Sequence, residues 1–247
     1  MTNYPAISFN RAAVEPIECL KAGFDMVKGR YWLFVGITAV GMLIASLVPF
    51  GLLMGPMMCG IYLAYFRVRR VEPVEFGDLF KGFDYFGQSL IATLIHIIPI
   101  MIVFVPSYLA FYISLFLMMP RQGGEPDPAA MLSFFGVFAI FWFVIIVFVM
   151  VISILFTFTY PLIVDRGLSG LDSVKLSARA ALGNFWRLLG LFLINGVLGM
   201  VGMLLCYVGV VLVLPITFGA LISAYERVFG LGGPQPSNLP PPPPTFS

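Results

Sequence analysis

Four long segments of this 247-residue chain contain no aspartate, glutamate, lysine or arginine. They are 31–66, 85–120, 128–164 and 188–225, with lengths of 36, 36, 37 and 38 residues. A hydrocarbon core about 30 Å thick is crossed by about 20 apolar helical residues, so each segment holds one long crossing or two short ones. With 60% hydrophobic and only 11% charged residues, the chain is unlike water-soluble domains. The pattern predicts an all-α integral membrane protein.

The distribution of basic residues predicts how often each segment crosses. Three regions carry four lysines or arginines each, namely 11–30, 67–84 and 165–187. Arg227 adds one more, whereas the region 120–130 has only Arg121. Because lysine and arginine near a crossing stay on the cytoplasmic side, 120–130 is expected outside. Six transmembrane helices follow, with both termini in the cytoplasm. An alternative with eight crossings leaves 120–130 in the cytoplasm.

In the six-crossing prediction, the first and fourth segments are hairpins and the second and third cross once. Turn-forming residues interrupt the hairpin segments at Pro49–Gly51, Gly55–Pro56 and Cys206–Gly209. A single helix of about 33 residues would reach about 50 Å, which exceeds the hydrocarbon thickness. The two single crossings are therefore expected to tilt, to kink at Pro99, Pro106 or Pro161, or to project beyond the headgroups.

Two parts of the chain align at an offset of 154 residues. Segment 18–32 matches 172–186 at this offset, and farther on, at a slightly larger offset, Pro56-x3-Gly60 matches Pro215-x3-Gly219. Each unit is predicted to be an amphipathic helix followed by a hairpin, and the two crossings between the units make the repeat parallel. Chance similarity among apolar residues is the alternative.

The predicted organisation has three parts. It consists of an N-terminal arm (1–13), a single membrane domain (14–230) and a disordered Pro-rich tail (231–247). The membrane domain contains repeat one (about 14–68), the two central crossings (about 74–164) and repeat two (about 168–228). A tail that docks on the aromatic groove of a partner is the alternative to simple disorder.

Three amphipathic helices are expected on the cytoplasmic surface, with their apolar sides in lipid. The first carries the apolar residues Ile17, Leu20, Phe24 and Val27, and the second carries Leu171, Val174, Ala178 and Leu182 after a Ser169–Asp172 capping box. The third covers 74–86, where Phe76, Leu79, Phe80 and Phe83 lie opposite Glu75 and Asp78. Trp32 and Trp186 are expected to anchor the chain at the membrane interface.

Several motifs together carry a resemblance to a known family. They are the run from Tyr160 to Arg179 followed by Gly183-Asn-Phe-Trp186, the run Pro56-Met-Met-Cys-Gly60 with Tyr65, and the run Gly77-Asp-Leu-Phe-Lys-Gly-Phe83. With these motifs, most of 14–230 is similar to uncharacterised bacterial multi-pass membrane proteins. Similar domains form the membrane part of some glycerophosphoryl diester phosphodiesterases, in which a separate soluble domain performs the hydrolysis. The resemblance implies a six-helix inner-membrane module and supplies no catalytic residues.

The uncharged segments contain a single histidine, His96, which follows Thr93 and precedes Pro99. Ionisable groups within lipid often mark ion or proton pathways. Pro99, however, leaves a backbone carbonyl of its helix unpaired, and the imidazole of His96 could donate a hydrogen bond to that carbonyl. A structural hydrogen bond is therefore the favoured interpretation of His96, and a ligand or proton role is the alternative. One histidine without a buried carboxylate supplies neither a metal site nor a nucleophile with its base. We expect no catalytic, cofactor-binding or metal-binding residues.

Four basic residues follow the third uncharged segment, namely Arg166, Lys175, Arg179 and Arg187. Because guanidinium groups bind phosphate bidentately, these residues are candidate contacts for a lipid headgroup or a phosphate. A surface ion-pair network that includes Asp165 is the alternative.

The sequence as a whole favours a non-enzymatic membrane protein that serves as a scaffold or assembly platform. A passive transporter or lipid-handling protein is the alternative. Membrane lipids and an unidentified membrane or cytoplasmic protein are the expected partners, whereas the net charge of +2 and the scattered basic residues exclude a nucleic-acid binder. The first 30 residues hold seven charges and no apolar core, so no removable signal peptide is expected. The predicted location is the bacterial inner membrane.

Overall fold

The computed structural model describes residues 8–47, 51–118, 128–204 and 208–231. Regular structure in these residues is entirely helical, without strands. The α-helices are α1 (Pro16–Val27), α2 (Tyr31–Leu47), α3 (Met54–Arg69), α4 (Phe86–Met118), α5 (Pro128–Leu155), α6 (Thr159–Arg166), α7 (Gly170–Gly183), α8 (Phe185–Leu204) and α9 (Val208–Phe229). Two 3-10 helices cover Lys28–Arg30 and Phe76–Tyr85. The predicted Pro-rich tail, from residue 232 onward, lies outside the described residues.

Five helical stretches of the described residues are long and apolar enough to cross a membrane. They are Pro16–Leu47, Phe76–Phe116, Met131–Arg166, Phe185–Leu204 and Val208–Phe229. The predicted all-helical class is therefore confirmed, with five candidate membrane-spanning stretches among the described residues. Helix α3 has 16 residues and falls short of the length that a straight crossing requires. The sixth crossing stays a prediction.

The uncharged segments divide into helices as the turn signals predict. The first is split between α2 and α3 and the fourth between α8 and α9, whereas the second forms the continuous 33-residue α4. Helix α5 also runs unbroken for 28 residues. Prolines 99 and 106 lie inside α4. The predicted turn residues at 48–50 and 205–207 lie outside the described residues.

Helices α1 and α7 pack through small residues and turn their bulky apolar residues outward. Cys19, Gly23 and Val27 are the buried residues of α1. The buried residues of α7 are Gly170, Ser173, Ser177, Ala180 and Ala181. By contrast, Ile17 is 61% exposed on α1 and Leu182 is 64% exposed on α7. Small side chains let the backbones of neighbouring helices approach, and the larger residues are left at the surface.

Two glycine pairs mark the tightest contacts between backbones. A Cβ added to Gly60 in α3 would lie 1.9 Å from the backbone oxygen of Leu79, and one added to Gly82 would lie 2.0 Å from the oxygen of Pro56. The 3-10 helix Phe76–Tyr85 is thereby pressed onto α3. In the same way, a Cβ at Gly23 in α1 would lie 2.4 Å from the backbone nitrogen of Ala220 in α9.

The third predicted surface helix differs from the expectation. It is a 3-10 helix over Phe76–Tyr85 rather than an α-helix over 74–86, and Asp78, predicted on the wet face, is 1% exposed. The reason is hydrogen bonding both within the segment and to α3: the Asp78 carboxylate accepts from the backbone N–H of Glu75 at 2.9 Å and from Arg67 and Lys81 at 2.8 Å each. Leu79 is buried, whereas Phe76, Phe80 and Phe83 stay exposed.

A break separates α5 from α6, and Pro161 lies in the first turn after it. Proline lacks the N–H that would bond to the oxygen of Thr157, and its ring crowds that carbonyl, which favours an interruption of the helix there. The side chain of Ser177 in α7 pairs with backbone groups that the break leaves without a helical partner. Its hydroxyl donates to the oxygen of Leu155 at 2.7 Å and accepts from the N–H of Phe158 at 3.1 Å.

We expect Ser177→Ala to lower the free energy of unfolding by about 1–3 kcal/mol, because two buried backbone groups would lose their partner. Ser173 offers a matched control, since it is equally buried on the same helix and its hydroxyl has no partner among the described residues. Ser173→Ala should leave stability unchanged or raise it. Thermal unfolding of both variants in detergent measures the difference, and equal losses would contradict the assigned role.

Candidate functional site

The described charged residues gather at one end of the helical bundle, which we call the charged face. It is formed by residues 8–30, 67–85, 159–187 and 226–231. These segments are joined by ion pairs between helices far apart in sequence. Arg69 near the end of α3 contacts Glu226 of α9 at 2.6 Å, and Arg227 contacts Glu15 at 3.1 Å. The ends of the helices are thus fixed relative to one another.

Asp165 is the most enclosed charge on this face. Its carboxylate is 0% exposed and lies 2.7 Å from a guanidinium nitrogen of Arg70 and 3.2 Å from one of Arg166. The hydroxyl of Tyr225 donates to it at 2.7 Å. The cluster joins the ends of α3, α6 and α9. A buried carboxylate is tolerated only when opposite charge and hydrogen bonds replace its hydration, and all three groups do so here.

One buried amide side chain, that of Asn184, makes several of the hydrogen bonds that attach the N-terminal arm to the charged face. The Asn184 carbonyl oxygen accepts from the N–H of Ala13 at 2.9 Å, and its NH₂ donates to the oxygens of Asn10 at 3.1 Å and Ala180 at 3.0 Å. The N–H of Asn10 in turn donates to the oxygen of Val228 at 2.8 Å. The described part of the arm therefore ties α7 and α8 to the end of α9.

We expect Asn184→Ala to release this arm. Loss of the Asn184 acceptor should speed amide hydrogen exchange at Ala13 by about fivefold, because one hydrogen bond contributes about 1 kcal/mol to local stability. Asn195→Ala serves as the control, since the Asn195 carbonyl oxygen has no partner among the described residues. Exchange mass spectrometry in detergent measures both, and unchanged protection at Ala13 would contradict the assignment.

The four predicted phosphate contacts separate into two groups. Arg166 donates to the oxygens of Phe229 and Gly230 at 3.0 and 3.2 Å, and Arg187 donates to the oxygen of Val14 at 3.3 Å. These two are engaged with the backbone, and Arg166 also belongs to the ion-pair cluster that was the alternative interpretation. Lys175 and Arg179 are exposed, one turn apart on α7, and no described carboxylate pairs with them.

His96 lies in α4 with its ring stacked on Phe156. The ring centroids are 4.5 Å apart and the planes differ by 13°. Neither ring nitrogen has a hydrogen-bond partner within the described part of the chain. The expected hydrogen bond to a carbonyl freed by Pro99 is therefore not formed there, because the ring packs against an aromatic side chain instead. No set of three His, Cys, Asp or Glu residues in the described ranges is placed to hold a metal ion.

A crevice of about 500 Å³ opens on the charged face between the end of α1 and the end of α3. Its walls are Asp25, Met26, Lys28, Gly29, Arg30, Phe34, Val68, Val71, Glu72 and Pro73. It therefore offers both charge signs beside apolar contact area. Sequence reasoning missed it, because the two walls are about 45 residues apart and no local pattern links them. Exposed Val71, with a positive φ of 59°, is the one local sign of an unusual surface there.

A second crevice, about 330 Å³, lies between the long helices α4 and α5. Its lining is apolar apart from two hydroxyls, and consists of Ser107, Ala110, Phe111, Ser114, Phe134, Val137, Phe138 and Phe141. Both hydroxyls donate to carbonyls of their own helix, Ser107 to Val103 and Ser114 to Ala110. The crevice is thus chemically suited to hydrocarbon rather than to a polar solute.

The comparisons with known proteins show a family for most of the chain. No curated protein and no solved structure matches the chain. Residues 81–244 match a family described as a domain of unknown function, DUF7847. The match starts within the 3-10 helix Phe76–Tyr85, so it leaves out α1 to α3. It extends into the Pro-rich tail, which lies beyond the region 14–230 that resembles multi-pass membrane proteins. The chain belongs to the DUF7847 family of uncharacterised domains.

Proposed function

We propose that this protein is a non-enzymatic multi-pass protein of the bacterial inner membrane that serves as a scaffold or assembly platform. Both termini and the charged face lie in the cytoplasm in this proposal. The observation that carries it is the crevice between the ends of α1 and α3, on a face whose helix ends are fixed by buried ion pairs. Apolar residues with both charge signs beside them support this proposal, because protein interfaces combine an apolar core with a polar rim.

The resemblance to the membrane part of glycerophosphoryl diester phosphodiesterases suggests the class of partner. In those proteins the membrane domain holds a soluble enzyme against the bilayer. We propose that the charged face performs the same holding role for a separate soluble protein. The Pro-rich tail, which follows α9 in the sequence, is a second segment that such a partner could bind.

The two halves of the chain are proposed to be parallel repeats. The buried residues Cys19, Gly23 and Val27 of α1 and Ser173, Ser177 and Ala181 of α7 are separated by the same offset of 154 residues. Gly60 and Gly219, which follow matching prolines, are each in close backbone contact with a segment on the charged face. These correspondences support one ancestral unit whose copies present two comparable surfaces to the cytoplasm.

Site-specific crosslinking tests the platform. A photoreactive amino acid at Arg30, in the crevice, should yield one discrete protein adduct in native membranes, and Asp25→Lys should abolish that adduct by reversing a charge in the crevice wall. The same probe at Lys81, an exposed position outside the crevice, is the control. An identical adduct pattern at Arg30 and Lys81, or one unchanged by Asp25→Lys, would count against the crevice as the binding surface.

A lipid-handling role is the second candidate, and the apolar crevice between α4 and α5 favours it. Proteoliposomes that contain a fluorescent phospholipid in one leaflet separate the two functions. Accelerated exchange of the lipid between leaflets, lost on Ala110→Trp, would support lipid handling. A rate equal to that of protein-free vesicles would leave the platform as the function.

A further inference from the structure

The outer surface of α7 carries a row of basic residues that no carboxylate in the described part of the chain neutralises. Lys175 and Arg179 are exposed and one turn apart. Arg11 continues the row by one more turn, because its Cγ lies 3.3 Å from the position that a Cβ on Gly183 would occupy. Lys175 and Arg179 are thus about 6 Å apart along the helix axis, and the aliphatic stem of Arg11 lies beside the position one turn further on. No described carboxylate forms an ion pair with any of the three.

Helix α1, the counterpart of α7 at an offset of 154 residues, shows the opposite arrangement. Its lysines are paired within the helix, Lys21 with Glu18 at 3.0 Å and Lys28 with Asp25 at 2.7 Å. At the aligned positions Lys21 corresponds to Lys175, whereas Asp25 corresponds to Arg179. One helix is therefore balanced in charge and the other is basic.

The carboxylate nearest in sequence does not cancel this charge. Asp172 is occupied at the start of α7, where it accepts the hydroxyl of Ser169 at 2.6 Å and its N–H donates to that hydroxyl at 3.2 Å. Lys175, three residues further on, makes no ion pair with it. The row thus keeps its positive charge and faces outward.

The apolar surface beside the row indicates a lipid rather than a free anion. Leu171 is 50% exposed and Trp186, two residues into α8, is 80% exposed. At 100° per residue, Leu171 and Leu182 lie within about 60° of the mean direction of Lys175 and Arg179. A helix with this pattern lies at a bilayer interface, with its apolar residues at acyl-chain depth and its basic residues among headgroups.

We propose that the outer surface of α7 binds the headgroup of an anionic phospholipid, with Lys175, Arg179 and Arg11 on the phosphate and Leu171, Leu182 and Trp186 along the acyl chain. The inference rests on the membrane placement proposed above. It retains Lys175 and Arg179 from the four predicted phosphate contacts and omits Arg166 and Arg187, because those two donate to backbone carbonyls. It assigns Arg11 a role for which its sequence position gave no sign.

Native mass spectrometry of the detergent-solubilised full chain tests this site with phosphatidylglycerol and phosphatidylcholine as probes. We expect Lys175→Gln with Arg179→Gln to weaken phosphatidylglycerol binding by roughly thirtyfold at low ionic strength, about fivefold per charge. Lys21→Gln with Lys28→Gln, in and just after α1, is the matched control, since it lowers the net charge of the molecule by the same amount. That control should weaken binding by less than about threefold, and neither pair should alter phosphatidylcholine binding.

Three results would overturn the proposal. Equal losses in the two double variants would assign the attraction to net charge alone. Unchanged phosphatidylglycerol binding after the α7 substitutions would exclude Lys175 and Arg179 as the residues that bind the lipid phosphate. Displacement of the lipid by millimolar inorganic phosphate would indicate a site for the free anion. The platform is tested separately, because the Arg30 crosslink lies on other helices and should survive the α7 substitutions.

Discussion

Asp165→Asn is expected to lower the free energy of unfolding by about 3–5 kcal/mol, the largest effect of any single substitution considered. The asparagine would fill the same volume but remove the negative charge that Arg70 and Arg166 share at 2.7 and 3.2 Å. Two guanidinium groups, 25% and 26% exposed, would then face each other without a counter-ion. The ends of α3, α6 and α9 would lose the charge that joins them.

Glu18→Gln provides the comparison for Asp165→Asn. Glu18 pairs with Lys21 at 3.0 Å, a distance close to that of the Asp165 pair, but the two side chains are 50% and 67% exposed. An exposed pair contributes only about 0.2–1 kcal/mol, so this variant should unfold close to the wild type. Thermal unfolding in detergent, followed by circular dichroism, measures both. Similar midpoints for the two variants would contradict the stabilising role of the buried cluster.

Gly60→Ala is expected to cost about 3 kcal/mol, through steric conflict rather than charge. The added Cβ would lie 1.9 Å from the backbone oxygen of Leu79, and a backbone oxygen cannot rotate away as a flexible side chain can. The 3-10 helix Phe76–Tyr85 would have to move off α3, which removes buried contacts of Leu79 and disturbs the neighbouring Asp78. The unfolding midpoint should fall by about 6–12 °C.

The reciprocal change and its control lie together on the 3-10 helix. Gly82→Ala should be as damaging as Gly60→Ala, because its Cβ would lie 2.0 Å from the oxygen of Pro56. Gly77→Ala, where nothing lies within 4 Å, should change stability by less than about 0.5 kcal/mol. If Gly77→Ala and Gly82→Ala unfold at the same temperature, the close contact does not hold the two helices together.

The sequence predicted the helices well because their boundaries depend on local chemistry. Ser169 caps α7 by accepting from the N–H of Asp172, as the capping-box pattern indicates, and α1 starts at Pro16. The absence of charge likewise marks the long apolar helices without any knowledge of their packing. Each of these signals lies within a few residues of the feature that it predicts.

The arrangement of the charged face could not be predicted, because it depends on contacts between distant residues. Asp78 was expected in water, yet it is enclosed by Arg67 from another helix. Arg166 was assigned to phosphate, yet backbone oxygens at the end of α9 receive its N–H groups. The glycines of α8 also differ in their surroundings: a Cβ at Gly202 would meet the backbone of Gly209, whereas a Cβ at Gly196 or Gly199 would meet nothing within 4 Å.

Accessibility of single cysteines from the two sides of the membrane tests the central claim most directly. After replacement of Cys19, Cys59 and Cys206 by alanine, we would introduce Gly124→Cys or Lys175→Cys and treat intact spheroplasts with an impermeant thiol reagent. The six-crossing arrangement predicts that position 124 reacts at once and that position 175 reacts only after permeabilisation. Labelling of position 175 in intact cells, or protection of position 124, would contradict a charged face in the cytoplasm beneath membrane-spanning helices.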